Sequence, residues 1–547
     1  MYRLTTRMAL GLALPFSLWA QIPAIYPHAI VNAASFYSPG LPGGSIARGS
    51  IFTIFGAALG PAQGTQVPAF PLGNTFAGVS ITVSQGATSV NALPLYVRQD
   101  QINALMPSNA PLGWVSVRVT FHNARSNPSP VYVVNDSVGI FTATGTGLGP
   151  GAIDNFVSAA SQPVNSTSSS AKPGQVVTLF ATGLGPITSP DNQAPPTGTL
   201  PTPVELWVGG IPASISYSGR SPCCSGLDQV TFTVPANAPQ GCWVPVEIRT
   251  SQATVSNFAS MAVDPKGAPC SDPANPLSDA LVCGAATGFL SLIRTTVHED
   301  VGVNAPIDFS SDTFSYSAIK QPGGPFVFKP LLAAPPPGAC TVYAGVGDYW
   351  TTGAIPDSTV TTALDTGSQF TVTGPGGSQP VVLSSDLAPL GAYLPLYGLP
   401  NQLFLAPGSY KITGGGADVG AVNVAITVPS PVTWTNRDQT TIVSRSQPLT
   451  INWSGGPPGQ AIQILGENSD LRTNSSSLFY CVAPAGATSF TVPAQVLSSM
   501  PPTRTSSLDS TGVIFLISSS QAPFSAQGLK AAFASAVYKT GKTVVFQ

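Results

Sequence analysis

At 547 residues the chain is too long for one hydrophobic core, and at roughly 100 to 150 residues per domain it divides into about four. Gly and Pro number 55 each, 8% of residues are charged and 43% are hydrophobic, which excludes disorder and points to short strands joined by tight turns. A net charge of −2, with 21 Lys and Arg scattered along the chain, excludes the clustered cations that nucleic acid or an anionic membrane surface requires.

Residues 1–20 have the order of a secretory signal: Arg3 and Arg7, an apolar run from Met8 to Trp19, and Ala20 as the expected cleavage point. An uncleaved anchor is the alternative, disfavoured because the run falls short of the ~20 residues that a spanning helix needs. A second apolar stretch, Leu281 to Ile293, is shorter and broken by Gly284, Thr287 and Gly288, so it reads as a strand. The expectation is an exported chain, secreted or held at the cell surface, with no membrane span once the signal is removed.

A repeat sets the next 240 or so residues. Gly49-Ser-Ile-Phe-Thr-Ile-Phe-Gly-Ala-Ala-Leu-Gly-Pro61 recurs as Gly174-Gln-Val-Val-Thr-Leu-Phe-Ala-Thr-Gly-Leu-Gly-Pro186. Val79 to Val83 then matches Val204 to Val208, and Asp100-Gln101 with Pro107, Pro111 and Gly113 matches Asp228-Gln229 with Pro235, Pro239 and Gly241. The offset grows between these blocks, which places an insertion near Cys223. Within each copy the residues alternate as half-buried strands do: Val115, Val117, Val119 and Phe121 share one face, Ser116, Arg118, Thr120 and His122 the other. An apolar sheet face must be covered by a second sheet, so each copy is expected to be a β-sandwich, at 24–137 and 138–264.

These residues carry a resemblance. Ile30-Val-Asn-Ala-Ala-Ser-Phe36, the Gly49 block, Leu95-Tyr-Val97 with Gln101-Ile-Asn103, and Ala181-Thr-Gly-Leu-Gly185 resemble a paired immunoglobulin-like domain of uncharacterised secreted proteins from Acidobacteria-type soil bacteria. The units also resemble, more distantly, the immunoglobulin-like domains of plexins and some transcription factors. Cys340-Thr-Val-Tyr343, and Thr433-Trp-Thr-Asn436 with Pro448-Leu-Thr-Ile-Asn-Trp-Ser-Gly455, resemble the tails of some members. The resemblance implies export and an immunoglobulin-like fold, and brings no activity and no catalytic residues.

Downstream, a Pro, Gly, Asp and Asn-rich stretch makes 265–286 a linker. Strand patterns resume over 287–428, as in Ser409-Tyr-Lys-Ile-Thr413, giving a third β-rich domain. Pro429-Ser-Pro431 marks a boundary, and 432–547 reads as a fourth, sandwich-like domain with Leu449, Ile451 and Trp453 alternating against Thr450 and Asn452. Its Ala-rich stretch Leu529 to Tyr538 allows a helical turn or two, and Thr540-Gly541 suggests a final hairpin. The fold class is therefore all-β: tandem immunoglobulin-like β-sandwiches followed by two further β-rich domains.

Seven cysteines in an exported chain are expected to be bridged, with at least one lacking an intramolecular partner. If 227–234 and 242–249 form a hairpin, Cys223 and Cys224 lie at the end away from Cys242, too far to bridge it. The following strand returns toward the Cys242 end and brings Cys270 within reach, so Cys242–Cys270 is the preferred bond. Cys223 and Cys224 either join each other or take a partner such as Cys283; Cys340, Cys481 and Cys283 stay unassigned. The adjacent pair reads as a stapled loop before it reads as a redox sensor or ligand contact. No paired Cys-x-x-Cys or His-x-His supports zinc.

Chemistry is sparse. Of three histidines, His28 and His122 read as surface residues, and His298-Glu299-Asp300 lacks the second histidine of a zinc helix and reads as a solvated strand end. No Gly-x-Ser-x-Gly elbow occurs, and the run Gly145 to Gly151 lacks the Lys-Ser/Thr and helix start of a phosphate loop. The ligand-contact candidates are Trp350 with Tyr349, in a Gly- and Thr-rich loop; Trp114, Trp207, Trp243 and Trp453 are further aromatics, with Trp207 and Trp453 expected in cores. No catalytic residue, metal ligand or cofactor site is assigned. The reading is a non-enzymatic extracellular scaffold or adhesion protein whose partner is a polysaccharide or a surface protein. A carbohydrate-binding array is the alternative, and a hydrolase with its site in 287–428 the more remote one.

Overall fold

The computed structural model describes residues 22–250, 254–270, 272, 275, 278–301, 306–330, 332–346, 362–383, 396–397, 403–470, 473, 475–503 and 510–547. The alternation read in Gly113–Phe121 is realised: Val115, Val117 and Val119 are buried while Trp114 and Arg118 face out. Burying each such Val is worth roughly 1.5–3 kcal/mol. That gain fixes which face turns inward, because a one-residue slip would invert it.

In the first unit, Ala24–Asn32, Ile51–Ala57 and Gln101–Leu105 form one layer. Val79–Gln85, Gly113–Phe121 and Ser129–Val134 form the other. Thr88–Val97 belongs to both, pairing first with Val79–Gln85 and then with Gln101–Leu105, and its ladder shifts between Pro94 and Tyr96 as it changes layer. Ile54, Ile81, Ile102 and Val117 meet in the core between the layers.

The second unit repeats the plan. Phe180 on Val176–Thr182 lies opposite Gln229, as Phe55 lies opposite Gln101. Where the first unit has one long strand, the second has two pieces, Ile211–Pro212 pairing with Val204–Val208 and Ser214–Arg220 pairing with Asp228–Thr233. The hairpin expected from 227–234 and 242–249 is not formed. Asp228–Thr233 lies in one sheet and Gly241–Thr250 in the other, because the chain crosses the core between them to cover both of its faces.

The two units are joined by polar bonds that are buried or half-buried. Ile51 N–H donates to Thr182 Oγ1 at 2.8 Å, the Asn32 amide to Thr182 O at 3.5 Å, and Ser108 Oγ to Asp191 Oδ1 at 2.7 Å. Within the second unit, Arg220 and Asp228 form an ion pair in which the side chains are 2% and 0% exposed. An Arg–Asp pair also occupies the matching turn of the first unit, where Arg98 and Asp100 are exposed.

Beyond 285 one long sheet organises the chain. Its order is Cys340–Val346, Ser475–Val482, Gln463–Asp470, Ser510–Pro523, Ala531–Phe546, Ala286–Glu299, Ile307–Lys320 and Thr362–Ala363. Two small sheets pack on it. Gly377–Val382, Gln369–Gly374, Gly408–Gly416 and Gly420–Val428 enclose Phe314, Tyr316, Phe370, Ile412 and Ala534 with it. Val432–Trp434, Leu449–Gly455 and Ser489–Val492 enclose Trp434, Trp453, Ile464, Phe479 and Ile514.

The break expected at 429–431 therefore separates the two small sheets and leaves the long one undivided. Ala286–Glu299 runs parallel to Ala531–Phe546, with Leu292 opposite Ala536. The Ala-rich stretch is strand, not helix: Ala532, Ala534 and Ala536 alternate inward with period two. Thr540-Gly541 lies inside that strand, and the last hairpin turns instead between Pro523 and Ala531. The expected linker contains a short helix, Ser278–Cys283, which also takes the start of the stretch read as strand from Leu281.

Candidate functional site

The strand Ala24–Asn32 breaks its ladder between Ile25 and Ile30, and His28 adopts φ 55° within the break. The following turn is held by Asn32, whose Oδ1 accepts the N–H groups of Ala34 and Ser35. Tyr26, His28 and Phe36 are thereby turned toward Phe55, whose ring centroid lies 6.3 Å from that of Phe36. These side chains form one wall of a cleft of about 520 Å³; Thr146 of the second unit and Gly345 and Thr473 of the long sheet and its turn close it. His28 Nδ1 stands 3.4 Å from Thr473 O. An aromatic-rich cleft of this size suits an apolar ring or the flat face of a sugar.

A second aromatic feature lies on the outer face of the first unit. Trp114 and Tyr132 are directly opposite on adjacent strands, with ring centroids 5.3 Å apart at 68°. They are 62% and 44% exposed, so they form a platform instead of core packing. Gln85 Nε2 donates to Leu112 O and Trp114 O and fixes the Trp114 backbone beneath it.

The other sequence candidates are placed as follows. Trp350 and Tyr349 lie outside the described residues. Trp453 and Trp243 are buried, the latter donating Nε1–H to Val327 O at 3.4 Å. Trp207, expected in a core, is half-buried, with the Arg249 guanidinium 5.4 Å above its ring. Cys223 is bonded to Cys224, Cys242 to Cys270, and Cys340 to Cys481, while Cys283 is free and exposed. Cys340 and Cys481 are opposite one another on neighbouring strands, a pairing across 141 residues that no local pattern announces.

His298 reaches across its ladder to Asp308, Nδ1 to Oδ1 at 2.8 Å, and Asp300 pairs with the buried Lys542 at 2.8 Å. This group is cross-strand pairing at a sheet end. Among the described residues no cluster of three or more His, Cys, Asp or Glu is arranged to hold a metal, and no helix is long and apolar enough to cross a membrane. Three carboxyls are raised by burial: Asp154 above its ordinary 3.8, Asp228 pushed up to about 6 from the same value, and Glu247 held well above 4.5. Sequence reasoning missed Tyr26 and Phe36 as cleft residues, although Phe36 ends the Ile30–Phe36 motif that had been noticed.

No protein-family model and no curated protein matches the chain. Among solved structures it is similar to the γ-CGTase of alkalophilic Bacillus clarkii at 8% identity, covering 52% of this chain and 37% of that one, with TM-score 0.16. It is similar to SGBP-B from a complex xyloglucan utilization locus in Bacteroides uniformis at 13% identity, covering 74% and 98%, with TM-score 0.18. It is also similar to domains 4–9 of the surface layer protein SbsC at 10% identity, covering 94% and 65%, with TM-score 0.16.

Proposed function

We propose that this chain is an exported, non-enzymatic surface scaffold whose β-sandwiches hold binding faces in fixed relation. The observation that carries this reading is the joint between the two repeat units, where Ile51 and Asn32 donate to Thr182 and Ser108 to Asp191 across the boundary. Polar bonds in a largely covered joint favour one geometry, since a slip leaves donors without acceptors. The disulfides Cys242–Cys270 and Cys340–Cys481 support an oxidising, extracellular setting. The test is surface labelling of intact producing cells with a membrane-impermeant reagent, together with turnover assays of the purified chain on ester, glycan and peptide substrates. Labelling without turnover is expected; turnover of any substrate class overturns the non-enzymatic reading.

A glycan-binding role is the second reading, favoured by the exposed Trp114–Tyr132 platform. Trp114→Ala should abolish binding to a polysaccharide panel without lowering the melting temperature, because the ring is outside the core. Absence of binding by the unaltered chain removes this reading.

A further inference from the structure

A second cavity, of about 420 Å³, lies where a loop of the first unit, a hairpin of the second and the short helix Ala494–Ser498 converge. Arg249 and Arg445 both line it, with the hydroxyl-bearing Thr254, Ser446 and Ser498. The two guanidinium groups differ in their compensation. Arg249 donates Nε–H to Glu205 Oε2 at 2.7 Å and stacks over Trp207. Arg445 donates Nη2–H to Ser498 O at 3.1 Å and its backbone N–H to Gln547 O at 2.8 Å, leaving a buried Nε–H with no acceptor.

Among the described residues no Asp or Glu side chain forms an ion pair with the Arg445 guanidinium. Glu205 is engaged by Arg249, and Glu247, two residues before Arg249 on the same strand face, is buried against Gln495 in a setting that disfavours its charge. The cavity is thus lined by two guanidinium groups, only one of which has an Asp or Glu partner, with hydroxyls around them. The planar N–H fork of a guanidinium matches the paired oxygens of a carboxylate or sulfate.

We propose that this cavity binds a compact oxyanion, a carboxylate or sulfate group, between Arg249 and Arg445, either as a free ion or as the acidic substituent of a saccharide. The site is separate from the cleft and the platform described above, and its existence does not depend on the scaffold reading.

Calorimetric titration of the full chain with sodium sulfate, galacturonic acid and galactose, at constant ionic strength set with sodium chloride, tests it. Both anions should bind and galactose should not. Tighter binding of galacturonic acid assigns the acidic saccharide, and tighter binding of sulfate assigns the free ion. Arg445→Met should weaken anion binding at least about tenfold, ~1.4 kcal/mol. Arg249→Gln, at a side chain that is 37% exposed, should weaken it in the same direction. No binding of either anion, galactose binding as well as galacturonic acid, or unchanged affinity in a folded variant overturns the proposal.

Discussion

Replacing Arg220 with Met should destabilise the second unit by about 3–5 kcal/mol at pH 7.5, the cost of breaking a buried ion pair from one side. Arg220 is 2% exposed and Asp228 is not exposed at all, so no water can take the place of the guanidinium. Asp228 keeps the Leu184 N–H at 2.8 Å, and Gly185 O loses the Arg220 Nη2 donor it now accepts at 2.6 Å. Burial is the largest influence on Asp228 and already lifts it to about 6 from 3.8 against the downward pull of Arg220. The folded state therefore holds this proton more tightly than the unfolded state. The stability it contributes is complete below 3.8 and is lost as pH rises through about 6, an interval of ~3 kcal/mol at 1.36 kcal/mol per pKa unit. Without Arg220 the carboxyl rises further, so the cost of the substitution should shrink at pH 5, where Asp228 carries a proton. Urea unfolding followed by the fluorescence of Trp207 and Trp243, at pH 5 and pH 7.5, measures both effects. Arg220→Met combined with Asp228→Asn should recover part of the loss. A loss below ~1 kcal/mol at pH 7.5, or an equal loss at both pH values, refutes the reasoning.

Two further outcomes follow from the same physics. Burial holds the Glu247 carboxyl well above its ordinary 4.5, so its contribution to stability is greatest in acid and is lost as pH rises through the raised value. Glu247→Gln keeps the shape without the charge. It should raise the melting temperature at pH 8 and leave it nearly unchanged at pH 4; a lower melting temperature at pH 8 rules out desolvation as the cause. Cys340–Cys481 spans 141 residues and Cys242–Cys270 spans 28, for which loop-closure entropy gives ~5 and ~3.6 kcal/mol. Paired Ala substitutions should therefore lower the urea midpoint more for the first bond than for the second, and the reverse order counts against an entropic origin.

What could be read from the sequence was local or repeated. The Phe55 and Phe180 blocks announce the same strand twice, and both place their Phe opposite a Gln in the same register. The Cys242–Cys270 proximity followed from the return of Ala259–Val263 along Gly241–Thr250, even though the hairpin assumed before it is a sheet-to-sheet crossing. Leu529 to Tyr538 misled because Ala has the highest helix propensity, while its inward Ala residues serve here to let Leu290, Leu292 and Tyr316 pack closely. The cleft was hidden for a different reason. Tyr26, Thr146, Gly345 and Thr473 come from distant parts of the chain, and no spacing links them.

The undivided long sheet explains why a boundary can be visible in composition and absent in structure. Pro429-Ser-Pro431 cannot continue a ladder, so it ends one small sheet and begins the next. The sheet of four strands and the sheet of three each turn one apolar face toward the long sheet. Both faces are covered by the same partner, whose middle is the parallel pair Ala286–Glu299 and Ala531–Phe546. That pair joins residues more than 240 positions apart, so the four-stranded sheet takes its cover from both ends of the region, Leu290 and Leu292 beside Ala534 and Ala536, whereas the three-stranded sheet is covered chiefly by strands between 463 and 546. The contrast with the repeat units is one of contact range: each repeat unit closes its own sandwich within about 125 residues, whereas the region after 285 must bring Ala286–Glu299 and Ala531–Phe546 together before the core under the four-stranded sheet is dry.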